Sequence, residues 1–183
     1  MLVAEGIYTF DGILAREECD EYISWTEALG YSAAPISTAA GFVMRPDIRN
    51  NARVIIDDAD RARQLWSRVE ANVPRILEGR QVIGLNERFR FYRYDPGEQF
   101  APHTDGCFRR DNGEESLLTF MIYLNEGCEG GETNFGEVQI VPKTGMGLIF
   151  DHDLLHEGAA VLSGRKYVLR SDVMYGRIGH LRG

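Results

Sequence analysis

From about residue 82 onward the chain consists of short apolar runs broken by turn-forming residues, and this limits what it can fold into. The runs are Glu87–Tyr94, Ser116–Leu124, Val138–Val141, Met146–Phe150 and Lys166–Tyr175. They are rich in Val, Ile, Phe and Tyr, while Gly, Pro and Asn cluster between them, which is the signature of strands and turns. Ile7–Phe10 and Arg53–Ile56 have the same character and are expected to join the same sheets. Helical segments do not alternate with these runs, so a parallel sheet is disfavoured and a sandwich or jelly roll is expected.

Two helical patterns precede this region. Over residues 15–29, Cys19, Tyr22, Ile23 and Trp25/Ala28 recur at helical spacing behind acidic residues that suit a helix N-terminus, and Gly30 offers a stop. A second helix is expected from Asp58 or Asp60 through Val69 and Val73, with Ala62, Leu65, Trp66 and Val69 as its apolar stripe and Pro74 as its end. Both stripes read as core packing. The expected organisation is therefore one domain spanning 1–183, mainly β with flanking helices. Residues ~1–80 would support a jelly-roll core over ~82–176.

The histidines narrow the chemistry. His103-Thr104-Asp105 is followed 53 positions later by His156, and Lys166 stands ten positions beyond that. On a strand, His103 and Asp105 would point to one face and Thr104 to the other. Two imidazoles and a carboxylate form the ligand set of a non-haem Fe(II) site, which holds one side of the metal and leaves the other open. A buried cation nearby suits a dicarboxylate. His152 competes with His156 as the second imidazole, and the interval to Lys166 favours His156. His152 would then satisfy the second ring nitrogen of a ligating histidine. His180 lies in a Gly- and Arg-rich tail and reads as solvated.

Five ordered segments resemble the prolyl 4-hydroxylase-like 2-oxoglutarate/Fe(II) oxygenases. Tyr94-Asp-Pro-Gly97 through Pro102-His103-Thr-Asp105 looks like that family's metal-binding strand. Tyr123-Leu124-Asn125 and Gly130-Gly131-Glu132-Thr133-Asn134-Phe135 resemble its next strand and turn. Pro142 to Phe150 is similar to the approach to the distal histidine, and His156, Gly164, Lys166 and Tyr167 follow in order. The resemblance spans residues ~87–175. It implies a double-stranded β-helix, with Fe(II) on His103, Asp105 and His156 and 2-oxoglutarate on Lys166, Tyr94 and Thr119. O₂ would be the oxidant, with ascorbate as an optional reductant. Arg165 rivals Lys166 for the distal carboxylate, but adjacent strand residues face opposite ways, so only one can point inward.

The implied reaction hydroxylates a C–H bond of a peptide or protein side chain and releases succinate and CO₂. Alternatives are hydroxylation of a free amino acid or small metabolite, or a non-catalytic iron- or oxygen-sensing module. Arg170, His152, Arg49 and Asn51 are substrate-side or supporting candidates, and the loop from Cys107 to Glu115 is a candidate cover. A net charge of −8 and a pI near 5 argue against nucleic acid as the partner. Three cysteines without a C-x-x-C pair, together with the lack of a signal-like or membrane-length apolar segment, lead to the expectation of a cytoplasmic protein.

Overall fold

A computed structural model describes residues 1–38 and 41–178; His180 lies outside them. Two antiparallel sheets face each other. The main path of the larger sheet runs Leu2–Ala4, Ile7–Phe10, Gly147–Asp151, Glu115–Tyr123, Lys166–Arg177, Arg88–Tyr94, Ala52–Asp57 and Ser32–Ala33, with Arg80–Leu85 also paired to Lys166–Arg177. The smaller sheet has the order Phe100–His103, His156–Gly158, Thr133–Phe135 and Val138–Ile140. This is the jelly-roll arrangement expected from the strand pattern.

Strand parity divides the molecule into two cores. On Lys166–Arg177, the residues Tyr167, Leu169, Val173 and Tyr175 face outward with Phe89, Phe91, Leu118, Phe120 and Ile122. Helices α1 (Arg16–Leu29) and α2 (Ala59–Val69) cover that face with Cys19, Ala62, Leu65 and Val69, as their stripes require. Val168 faces inward with Tyr92, Tyr94, Met121, Tyr123, Phe135 and Phe150. Asp58 caps α2 by accepting from the Arg61 amide at 2.9 Å, and a 3₁₀ turn over Glu70–Asn72 leads to Pro74.

The expected strands lie within a residue or two of the observed ones. Several elements carried too weak a pattern to be expected, including Arg80–Leu85 and the hairpin Ile36–Thr38/Gly41–Val43. The H-x-D reading needs a correction. The strand ends at His103, so Asp105 stands in the following loop, and Thr104 lines the same cavity instead of pointing away. No helix among the described residues is long and apolar enough to cross a membrane.

Candidate metal centre

His103 ends one strand of the smaller sheet and His156 begins its neighbour, and the two are cross-strand partners. Their rings lie 4.3 Å apart. Asp105 reaches between them from the loop, with Oδ1 3.9 Å from His103 Nε2 and Oδ2 3.7 Å from His156 Nε2. One ligand atom from each residue falls within 4.8 Å of the others. Each Nδ1–H donates to a backbone carbonyl two residues back, His103 to Ala101 at 2.8 Å and His156 to Leu154 at 2.9 Å. Those bonds aim the Nε2 lone pairs toward Asp105 and leave them free for a metal.

The electrostatics agree with a cation site. Burial holds the His103 pKa down at about 4 and also lowers that of His156, so both imidazoles are neutral and offer a lone pair to a cation. Burial would raise Asp105, but the Arg170 guanidinium 3.1 Å away holds its carboxyl well below the usual range. Asp105 is anchored further by its amide, which donates to the His152 carbonyl at 2.8 Å, and by the Thr119 hydroxyl, which donates to Oδ2 at 2.5 Å. Two neutral imidazoles and a fixed carboxylate match Fe(II).

His103, Asp105 and His156 open onto a cavity of 620 Å³ between the sheets. At its inner end Lys166, 2% exposed, donates to the Gly131 carbonyl at 2.5 Å and lies 5.0 Å from the Tyr94 ring and 5.6 Å from the Tyr123 ring. Desolvation pulls its pKa to about 8. Gly130 and Gly131, with φ of +74° and +75°, bring the turn close enough for that bond. Arg165 points outward to Asp95 at 2.5 Å, so parity selects Lys166 as the inward cation.

Other expected residues take different places. Thr119, expected against the co-substrate, instead uses its hydroxyl on Asp105 and on His152 Nδ1 at 2.9 Å. His152 meets neither ligating ring, because backbone carbonyls already satisfy those nitrogens. It bridges Thr119 to Ser116, with Nε2 2.8 Å from Ser116 Oγ, and so supports Asp105. Arg49 lines the cavity. Asn51 is buried behind it and accepts from Arg49 Nε at 2.7 Å. Cys107 and Phe108 line the cavity mouth, while Arg109 and Arg110 are tied to Glu115 and Glu114. Tyr123 and Thr133 had no assigned role. Their hydroxyls join at 2.7 Å beside Lys166, and both stood inside the quoted family segments.

Comparison with known proteins agrees with the geometry. Residues 89–171 match the 2OG-Fe(II) oxygenase superfamily. Prolyl 4-hydroxylase 1 of Arabidopsis thaliana is 26% identical over 193 residues, and the match covers 88% of this chain and 66% of that protein. This chain thus spans just under two thirds of that relative's length. A viral collagen prolyl hydroxylase from Paramecium Bursaria Chlorella virus-1, solved with 2OG, superposes with a TM-score of 0.64 at 23% identity, covering 92% of this chain and 96% of that one. A prolyl hydroxylase from Trichoplax adhaerens, solved with a peptide fragment of the hypoxia inducible factor oxygen degradation domain, gives 0.71 at 18%, covering 94% and 84%. These two likenesses establish the shared fold.

Proposed function

From the match of residues 89–171 to the 2OG-Fe(II) oxygenase superfamily and the likeness to prolyl 4-hydroxylase 1 of Arabidopsis thaliana, we propose that this chain is a prolyl 4-hydroxylase-like 2-oxoglutarate/Fe(II) oxygenase that hydroxylates a prolyl side chain of a peptide or protein. The observation that carries the proposal is the pairing of the His103, Asp105 and His156 cluster with a buried lysine that has no carboxylate partner among the described residues, across one cavity. His103, Asp105 and His156 would hold Fe(II), which supplies O₂ activation coupled to decarboxylation of 2-oxoglutarate to succinate and CO₂. Lys166 would pair with the distal carboxylate of the co-substrate. The Tyr94 hydroxyl, near Gly158 and with no hydrogen bond to any described residue, is free to donate to it. Met121, Val168 and Phe100 line the cavity and exclude water from the reacting centre. The collagen and hypoxia-factor substrates named for the relatives support a peptide over a small metabolite. We also propose a reducing, cytoplasmic setting, supported by three free thiols.

The test is an anaerobic titration with Fe(II) and 2-oxoglutarate, followed by exposure to O₂ with proline-containing peptides. A visible charge-transfer band in the wild type that is lost in Lys166→Ala is expected, followed by succinate release and gain of one oxygen on proline. Iron binding without the band would sink the co-substrate assignment. A band without peptide oxidation would sink the substrate assignment.

A further inference from the structure

The cavity wall nearest the sheet edge carries charge that the chemistry above does not use. Strand register sets it out in rows. Arg53 pairs with Tyr92, which pairs with Val168; in the next row Ile55 pairs with Arg90, which pairs with Arg170. Arg49, Arg53, Arg88, Arg90, Lys166 and Arg170 line the cavity against two carboxylates, Asp105 and Asp172. That excess stands out in a chain of net charge −8.

Most of these cations are occupied. Arg88 pairs with Asp57 at 2.8 Å, Arg90 with Asp172 at 3.3 Å, and Arg170 with Asp105 and Asp172. Lys166 serves the co-substrate end. Arg49 and Arg53 remain, and neither has a carboxylate partner among the described residues. Arg49 is 5% exposed, with its guanidinium held between the Tyr92 and Phe100 rings at 4.4 Å from each. Its Nη2 is buried without a hydrogen-bond partner among the described residues. Arg53 is half-buried beside Phe42, and burial together with Arg49 and Arg90 pulls its pKa below the ordinary value.

A buried guanidinium without a counter-charge is costly, so a site that keeps one, with a second half-buried beside it, is built to receive an anion. The neighbouring phenol reports the same potential. Burial alone would raise Tyr92, yet the guanidiniums of Arg49, Arg170 and Arg90 bring it below its ordinary value. Position matters too. Phe100 stacks on His103 at 3.5 Å, so Arg49 lies one ring away from a metal ligand. An extended peptide advances ~3.3–3.6 Å per residue, which brings a residue one or two positions from the reacting one level with Arg49.

We propose that Arg49 and Arg53 form a carboxylate-binding subsite that seats an acidic side chain of the peptide substrate, next to the residue that is hydroxylated. This rests on the peptide-hydroxylase reading, and Ile36, Phe42, Ile48 and Ile55 supply apolar walls for the flanking backbone. Guanidinium and carboxylate form paired, charge-assisted hydrogen bonds, whereas an isosteric amide cannot supply the charge. The subsite therefore sets substrate choice and takes no part in the chemistry.

The test uses capped proline peptides that differ at one adjacent position, Glu, Gln or Lys. Their binding to the protein is measured by fluorescence anisotropy with Zn(II) and 2-oxoglutarate present, and oxidation is measured separately with Fe(II) by mass. Wild type is expected to bind the Glu peptide about tenfold more tightly than the Gln peptide. Arg53→Gln should remove that preference, and Arg53→Glu should transfer it to the Lys peptide. Arg53 is the position of choice because it is half-exposed, and a thermal melt confirms that each variant folds. No preference in wild type, including no binding of any peptide, overturns the subsite, as does a preference that survives both Arg53 substitutions. Preferential binding without oxidation of any peptide leaves the subsite standing and removes the hydroxylase reading. Equal binding with oxidation does the reverse.

Discussion

The Lys166 ammonium is almost wholly enclosed, its hydrogen bond goes to a carbonyl, and Cys128 and Glu132 offset its desolvation only in part. With a folded-state pKa of about 8 against an ordinary 10.5, the unfolded chain holds the proton more tightly. The penalty is therefore full below pH 8 and fades as pH climbs toward 10.5. It is on the order of 3 kcal/mol at neutral pH. Lys166→Met should raise the melting temperature at pH 7 by about 5 °C in the absence of 2-oxoglutarate, and should abolish the further rise that 2-oxoglutarate gives the wild type. Calorimetry with and without the co-substrate checks both. A destabilised Lys166→Met would show that the lysine supports the fold and is not held for a ligand. The same charge sets a pH profile. Above about pH 8, 2-oxoglutarate affinity in wild type should fall about tenfold per pH unit, while Lys166→Arg stays flat over that range. A flat wild-type profile would place the distal carboxylate elsewhere.

Among the elements, strand Glu115–Tyr123 does the most to hold the site, because its inward residues lie beneath the loop that carries Asp105. Thr119 projects from it to fix one Asp105 oxygen, and His152 and Ser116 fix Thr119 in turn. Thr119→Val keeps the volume and removes the hydrogen bond. Metal affinity should drop roughly tenfold to a hundredfold, as read by competition with a chelator, with the thermal melt little changed. Unaltered metal affinity would make Thr119 a packing residue. The Gly130-Gly131 turn acts at the other end. A Cβ on Gly131 would lie 3.1 Å from Val161 Cγ2 and 3.2 Å from Lys166 Cδ, on a backbone that side chains disfavour. Gly131→Ala should cost about 1–2 kcal/mol of stability and weaken 2-oxoglutarate more than metal, in paired titrations.

Across the whole molecule, the two faces of the larger sheet do different work, so stability and chemistry separate. Phe91 is fully buried in the outer core, with Trp25 edge-on at 5.8 Å and Tyr22 at 5.7 Å. Phe91→Ala should cost about 3–5 kcal/mol, lowering the melting temperature by roughly 10 °C, while the folded fraction keeps its metal affinity. Loss of metal binding at temperatures where the variant is folded would mean that the two layers are coupled more tightly than their packing indicates. The N-terminal region serves both faces. Helices α1 and α2 seal the outer core, and Arg49 and Arg53 form part of the inner wall.

The jelly roll was legible in the chain itself, and the spacing of His103, Asp105, His156 and Lys166 picked out side chains that the fold brings to one cavity. Alternation of period two allows only one of Arg165 and Lys166 to face inward, the ten-residue interval from His156 favours Lys166, and short runs between turn residues specify antiparallel strands. Where the ladder stops was not legible, and that is why Asp105 was expected on a strand and lies in a loop. Nor did any local pattern show that Thr119 and His152 would serve Asp105, since they meet it only when Glu115–Tyr123 and the segment after Asp151 pack together. Arg49 read as a substrate-side candidate, but nothing in the sequence marked it or Arg53 as lacking a carboxylate. Only the folded cavity shows which guanidiniums have carboxylates among the described residues and which do not, because pairing and desolvation depend on distances between strands far apart in sequence.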